Sequence, residues 1–184
     1  MDIFERMAKH EHEQLVLWSE PELGYKGIIA IHDTTLGPAL GGTRFWNYTS
    51  DEEAIVDSLR LARGMSYKAA VAGLNLGGGK SVIIGDNRTP YREMIFRAHG
   101  RAVESLGGRY ITAEDVGVSV EDMRAAADVT EWVAGIPQEE GYRGGDPSPV
   151  TARGVLSGIR SAVRSRLGRD DLEGLTVAVQ GLGS

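Results

Sequence analysis

Two lysines and two carboxylates carry the first chemical signal in this sequence. Lys80 sits in "NLGGGKSVIIGD" (75–86), directly behind Gly77, Gly78 and Gly79, where the backbone can approach a ligand closely. Lys68 stands twelve residues earlier, near the end of "SLRLARGMSYKAAVAG". If that segment is a helix closing at Gly73 and the chain turns back into a strand through Lys80, the two amines come together. Adjacent ammonium groups depress one another's pKa, burial depresses it further, and a lysine tuned in this way is a base near neutral pH. The opposing reading is a pair of solvated surface lysines. Glu114 and Asp115 end the run "RYITAED", with Gly117 close behind. Carboxylates at the C-terminal end of a strand often line a cleft, but the same pair also suits the start of a helix or an open surface. The stretch "GPALGGTR" (37–44) could cradle a ligand on backbone amides, or be a tight turn with Arg44 in an ion pair.

Other chemistries are excluded by spacing. Gly79-Lys80-Ser81 ends like a phosphate-binding loop, but the opening glycine should fall at Leu74 and the nearest is Gly73. Such a loop must also lead into a helix, whereas Val82-Ile83-Ile84 is a β-branched run closed by Gly85. "HEHEQ" (10–14) has Gln14 where a zinc helix needs its second histidine, and the four histidines show no useful grouping in sequence. No metal site is expected, and the chain has no cysteine for a thiolate site or a disulfide. Acidic residues number 26 against 20 basic, giving a net charge of −6 with no basic block, so nucleic acid is not the expected partner. The N-terminus is too charged for a signal peptide and no apolar run approaches the ~20 residues of a membrane span. A cytoplasmic protein without a membrane partner is expected.

The elements that must position these groups are legible in part. Strands are expected at Gln14–Trp18 and Lys26–His32, and a glycine- and proline-punctuated loop at 34–44. Ser50 and Glu53 have capping-box spacing, and Ile55, Leu59, Ala62, Met65 and Ala69 then form one helical face. After the "SVIIGD" strand, Thr89-Pro90 reads as the cap and first turn of a helix reaching about Leu106. "RYITAED" is a strand, and Ser119 to Asp122 opens a short helix to about Asp128. "TEWVAG" (130–135) reads as a further strand, 137–149 as loop, and Pro149–Leu167 as one long helix. "LTVAVQ" followed by Gly181 and Gly183 reads as the opening of a dinucleotide-binding unit. Because the third glycine, its helix and the ribose-binding acid do not follow, the chain is expected to stop just inside a second domain.

Five stretches taken together, "AIHDTTLGPALGGTR", "DSLRLARGMSYKAAVAGLNLGGGKSVIIGD", "GRYITAEDVG", "GDPSPVTARGV" and "LEGLTVAVQGLGS", resemble the amino-acid dehydrogenase superfamily of glutamate, leucine, phenylalanine and valine dehydrogenases, most nearly its leucine-specific branch. They span nearly the whole chain in that family's order. The resemblance implies an α/β fold: an N-terminal substrate and oligomerisation domain with a mixed sheet flanked by helices, then only the first strand of a Rossmann domain. The corresponding boundaries are 1–148 for the substrate and dimerisation domain, 149–168 for an inter-domain helix and 172–184 for the start of the NAD-binding domain. The implied reaction is NAD-dependent oxidative deamination of an amino acid to its 2-oxo acid and ammonia, in a homo-oligomer. By the same resemblance Lys68 binds the substrate α-carboxylate, Lys80 is the lysine of lowered pKa that activates water, and Asp115 shuttles a proton to and from the amino group. Gly41 and Gly42 contact the substrate backbone and Met65 lines the site. Thr151 lies beside the nicotinamide, and Gly181 and Gly183 match the first two glycines of the cofactor fingerprint.

Substrate choice is read at Leu40. Glutamate-specific members of that family carry a lysine just before the paired glycines. An apolar residue there cannot compensate a buried carboxylate, whose desolvation costs several kcal/mol, so an apolar, branched side chain is expected. Ala113 is small and leaves room for it. Valine and phenylalanine remain alternatives, since a methylene is worth only ~1–3 kcal/mol. A stand-alone, non-catalytic dimerisation module is the alternative of another class.

Overall fold

A computed structural model describes residues 2–137 and 148–181. The chain divides into two compact units, Met1–Arg143 and Gly144–Ser184. The first unit is built on a five-stranded mixed sheet in the order β1-β2-β4-β3-β5. Its strands are β1 (Gln14–Glu20), β2 (Tyr25–Asp33), β3 (Ala39–Trp46), β4 (Gly77–Ile84) and β5 (Tyr110–Glu114). β1 and β2, and β2 and β4, run antiparallel, whereas β3 lies parallel to both β4 and β5. A short helix α1 (Ile3–Lys9) precedes the sheet; α2 (Asp51–Val71) joins β3 to β4, α3 (Arg92–Glu104) joins β4 to β5, and α4 (Val120–Ala127) follows.

Local chemistry accounts for the helix boundaries. Ser50 caps α2 by accepting from the Glu53 N–H at 3.1 Å, while the Glu53 carboxylate reaches back to Thr49 N at 2.8 Å, one residue beyond the usual reciprocal bond. At α4 the reciprocal box is complete: Ser119 accepts from Asp122 N, and Asp122 accepts from Ser119 N at 2.7 Å. The sheet is then covered on both faces. Ile28, Ala30 and Val82 pack with Ile55, Leu59 and Ala62 of α2. On the other face Phe45 and Ile83 pack with Phe96 of α3 and Met123 of α4, and Ile29, Ile31 and Tyr110 with Ala102 and Val103 of α3.

Several expectations are corrected. Residues 39–44, expected as loop, belong to strand β3: its glycines lack the side chains that give a strand its period-two signature, yet it pairs on both sides. The three glycines before Lys80 likewise belong to β4. The helix expected from Thr89-Pro90 begins at Arg92 with Tyr91 as its cap; Thr89 Oγ1 accepts from Tyr91 N at 3.3 Å, which makes Thr89-Pro90 a turn before the helix. "TEWVAG" contributes only an isolated bridge between Thr112 and Val133. The histidines do meet: His12 and His32 rings stack edge-on 4.8 Å apart, with His10 6.4 Å from His12, because α1 folds its C-terminal end against α2 and β2.

In the second unit α5 (Ser148–Leu167) is followed by residues 175–180, which form no strand, and Val177 and Val179 are 52% and 72% exposed. An apolar run becomes a strand only where another strand supplies hydrogen-bond partners, and none does so among the described residues. Most of the loop expected at 137–149, and Gly183, lie outside the described residues.

Under β3, β4 and β5 lies a buried polar network. His99 of α3 places Nδ1 3.0 Å from the Tyr25 hydroxyl and Nε2 2.9 Å from Thr43 Oγ1. Thr43 Oγ1 is in turn 2.6 Å from Ser81 Oγ and 2.5 Å from Thr112 Oγ1. Burial pushes the His99 imidazole down to about 3, so it is neutral in the folded protein. A base whose folded pKa lies below its unfolded value of about 6.5 contributes no pH dependence above that value; as pH falls further the unfolded chain takes up the proton first, and stability drops by about 1.4 kcal/mol per unit down to about pH 3. His99→Gln should therefore cost roughly 1–3 kcal/mol at pH 7.5, through partners left unsatisfied. The deficit should shrink as pH falls from 7.5 to 5. Urea unfolding of both proteins across that range reads it; a deficit constant with pH would mean that His99 is not the buried neutral group.

Candidate active site

Strand periodicity collects the predicted residues. Along β3 the burial alternates: Ala39, Gly41, Thr43 and Phe45 are buried, while Leu40, Gly42 and Arg44 are half-buried. On β5, Tyr110 and Thr112 are buried while Ile111 and Ala113 are half-buried. The α3 side of these strands is closed and the α2 side partly open. Lys80, two residues before Val82, points to the α2 side as well, and register places it beside Gly42, which pairs with Ala113. Leu40, Gly42, Lys80 and Ala113 thus share one half-open sheet face. Gly41 falls on the closed side, where its carbonyl accepts from the Tyr110 hydroxyl at 2.6 Å.

Two glycines set the clearances. A Cβ at Gly78 would stand 2.2 Å from Ser66 N, so α2 rests directly on the β4 backbone. That close approach brings the last turns of α2, with half-buried Met65 and exposed Lys68, over the strand that carries Lys80. A Cβ at Gly42 would stand 2.5 Å from Glu114 O and 2.8 Å from Asp115 Cβ. Gly42 is the gap across which Lys80 reaches over β3 to Asp115.

The reach is completed at 2.8 Å, Lys80 Nζ to Asp115 Oδ2, with the lysine side chain only 6% exposed. Burial holds the Lys80 amine below the ordinary lysine value even though Asp115 opposes it, and the Arg44 guanidinium adds to the lowering. Burial raises the Asp115 carboxyl, but the Lys80 and Arg44 charges and their hydrogen bonds outweigh it, and the net shift is downward. Arg44 donates from Nε to the same Oδ2 at 3.0 Å and from its Nη1 to Asp57 Oδ2 at 2.8 Å. Tyr48 and Arg60 also donate to Asp57, at 2.8 and 2.7 Å. The arrangement offers an amine whose pKa is lowered and an ionised carboxylate in direct contact with it, which together can take and return a proton at a ligand on the open face.

Sequence reasoning does not reach Asp57 or Tyr48, and it reaches Arg44 only as an ion pair in a tight turn. The charges that act most on Lys80 are those of Asp115, Arg44 and Asp57, so Arg44 is a cation beside it that the sequence reading does not place there. Asp57 sits on α2 among other acidic residues with no spacing to single it out. Arg44 becomes legible only once 39–46 is read as a strand, where it falls two residues from Gly42. Tyr48, in the turn before α2, carries no local signal. In the second unit Thr151 is exposed in the first turn of α5, and Gly181 has the left-handed φ of +88°.

The chain belongs to the Glu/Leu/Phe/Val dehydrogenase family, whose dimerisation-domain model matches residues 12–132. It is similar to the leucine dehydrogenase of Bacillus subtilis (strain 168), 58% identical over 184 residues, which is 100% of this chain and 50% of that protein. The phenylalanine dehydrogenase of Bacillus thermotolerans is 50% identical across 98% of this chain and 47% of its own length. Among solved structures the L-tryptophan dehydrogenase of Nostoc punctiforme superposes with a TM-score of 0.76 at 44% identity, over 98% of this chain and 50% of that one. The chain spans about half the length of the curated relatives it matches.

The Gly42 clearance generates a test. Gly42 lacks the positive φ that would make any side chain strained, so the effect of Gly42→Ala comes from contact alone. The methyl group should push Asp115 away from Lys80 and cost about 1–3 kcal/mol in urea unfolding. Gly64→Ala, where a Cβ meets nothing within 4 Å, serves as control and should be neutral or stabilising. Equal effects of the two substitutions would show that Gly42 is not a clearance.

Proposed function

We propose that the protein carrying this chain oxidatively deaminates an apolar, branched-chain L-amino acid of the leucine type to its 2-oxo acid and ammonia, with NAD as the oxidant. The observation that carries this reading is the buried Lys80–Asp115 pair on a half-open face shared with Leu40, Gly42 and Ala113. Lys80, its pKa lowered, acts as a neutral amine that takes a proton from water as the water oxygen adds to the imine carbon and the C=N π pair moves to nitrogen, giving the carbinolamine. Asp115 moves a proton to and from the substrate nitrogen. Lys68, exposed on α2, pairs with the α-carboxylate, Met65 lines the same side, and Gly42 keeps the backbone clear for the ligand's main chain, while Gly41 supports the strand from the closed side. Leu40 and Ala113 form the apolar wall for the side chain. The greater identity to the leucine than to the phenylalanine enzyme supports a branched aliphatic substrate.

NAD, when bound, accepts the hydride from the substrate Cα. The left-handed φ of Gly181 suits the tight turn that opens a dinucleotide fingerprint. In this reading Gly181 and Gly183 would hold the pyrophosphate and Thr151 the nicotinamide end, with residues 149–168 assigned to the inter-domain helix and 172–184 to the start of the cofactor domain. Residues 1–148 hold substrate and form a homo-oligomer, a role in keeping with the family's description as a dimerisation domain. The protein is cytoplasmic in this account; no described helix is long and apolar enough to cross a membrane.

Kinetics of the enzyme with its nucleotide domain attached test the roles. Lys80→Ala should lower kcat by about 10²–10⁴ with KM little changed, because its contribution is made in the transition state. Lys68→Ala should chiefly raise KM. Identical kinetic profiles for the two would refute the division of labour.

Leu40→Lys should raise the ratio of kcat/KM for glutamate over leucine, since it supplies the cation that a side-chain carboxylate needs. An unchanged ratio would place Leu40 outside the side-chain pocket.

A further inference from the structure

Asp115 meets two cations, and both use one oxygen. Lys80 Nζ lies 2.8 Å and Arg44 Nε 3.0 Å from Oδ2. Among the described residues no hydrogen bond or ion pair falls on Oδ1. Arg44 does not end there, because its Nη1 is fixed to Asp57 Oδ2 at 2.8 Å, and Asp57 is fixed in turn by Tyr48 and Arg60. The guanidinium therefore spans from the end of β5 to the wall helix α2 from its place on β3. A planar group with donors in a rigid fork can hold two carboxylates at set angles, which a lysine cannot do.

We infer that Arg44 is a positioning residue of this site: it ties Asp115 to Asp57 of α2, occupies Oδ2 together with Lys80, and leaves Oδ1 as the oxygen that exchanges a proton with the substrate. The inference rests on the reaction proposed above for the roles of Lys80 and Asp115, but the coupling itself is a property of the fold. The charged groups bearing on the pair are Lys80 from β4, Arg44 from β3 and Asp57 from α2, with Arg60 and the Tyr48 hydroxyl bound behind Asp57. Two charges act on Lys80 through this chain with opposite sign. Arg44 lowers its pKa and Asp57 raises it. Loss of Arg44 should make Lys80 harder to deprotonate, and loss of the Asp57 charge should make it easier.

Competitive acetylation of the full chain with acetic anhydride, read by peptide mass spectrometry across pH, reports the midpoint at which Lys80 becomes reactive without requiring turnover. Arg44→Gln should raise that midpoint by roughly half a pH unit or more, and Asp57→Asn should lower it. Arg44→Lys should hold the midpoint, since the charge is kept, but lower kcat several-fold at unchanged KM because a point charge cannot grip both carboxylates. A merely structural ion pair would reduce folding stability and leave the midpoint in place. If Arg44→Gln does not fold, Asp57→Asn decides alone: it keeps an acceptor for the guanidinium, and a midpoint that stays or rises overturns the inference. Midpoint shifts of the expected sign in a parent enzyme with no amino-acid dehydrogenase activity would refute the proposed reaction and leave the Arg44 coupling standing.

Discussion

A lysine ammonium almost wholly withdrawn from water can be kept in a folded protein only by a partner that offsets its lost hydration, a cost of several kcal/mol. Here the partner is two strands away. Lys80 is on β4, Asp115 follows β5, and β3 runs between them. Adjacent strands are about 4.8 Å apart, so the ion pair must cross about two such spacings over the middle strand. Only a residue without a side chain allows the crossing, and Gly42 occupies that position. The same logic extends to Gly78, whose missing side chain lets α2 rest on β4. Strand order, the glycines and the helix position all serve one contact.

The opposite face of the same strands is built to different rules. Thr43, Ser81 and Thr112 alternate with Gly42 and Arg44, with Lys80, and with Ala113, and their hydroxyls converge on the neutral His99. A fully buried hydroxyl is costly when unpaired and directional when paired. Three hydroxyls that satisfy one another therefore hold β3, β4 and β5 in register from below, where an apolar layer would tolerate slippage. The cleft face can then be left partly open, since the strands that carry its groups are fixed from the other side.

How much of this was legible depended on whether the signal was local. The caps at Ser50 and Ser119 and the apolar stripe of α2 follow from bonds within one turn, so they are legible in the sequence. β1 and β2 were recognised because their alternating and continuous apolar runs are those of an edge strand and a buried strand. β3 was missed because "ALGGTRFW" has glycines where a strand shows its pattern, and those glycines answer to Glu114 and Gly79 on other strands. "TEWVAG" is over-read for the converse reason: its composition suits a strand, but strand formation depends on a neighbour that composition does not reveal, and it makes only an isolated bridge. Lys80 and Asp115 were picked out by sequence context, while Arg44, Asp57 and Tyr48 depend on a contact between β3 and α2 that no local pattern encodes. The histidines near residue 10 meet His32 only through the packing of α1.

Charge counting explains why Lys80 can be a weak acid although an aspartate touches it. A carboxylate shared with no other cation would hold the lysine proton tightly. In this site Asp115 already shares its charge with Arg44, Arg44 shares its own with Asp57, and Asp57 with Arg60. The Tyr48 hydroxyl beside Asp57 is pushed up by burial and by that carboxylate, so it stays a neutral donor. Apart from Lys80 this series of Asp115, Arg44, Asp57 and Arg60 holds two negative and two positive charges and is balanced without it. Protonated Lys80 is the one surplus charge in a buried place, and burial acts against it. A lone lysine–aspartate pair would be a lock; the alternating series behind it turns the same contact into one from which a proton can leave.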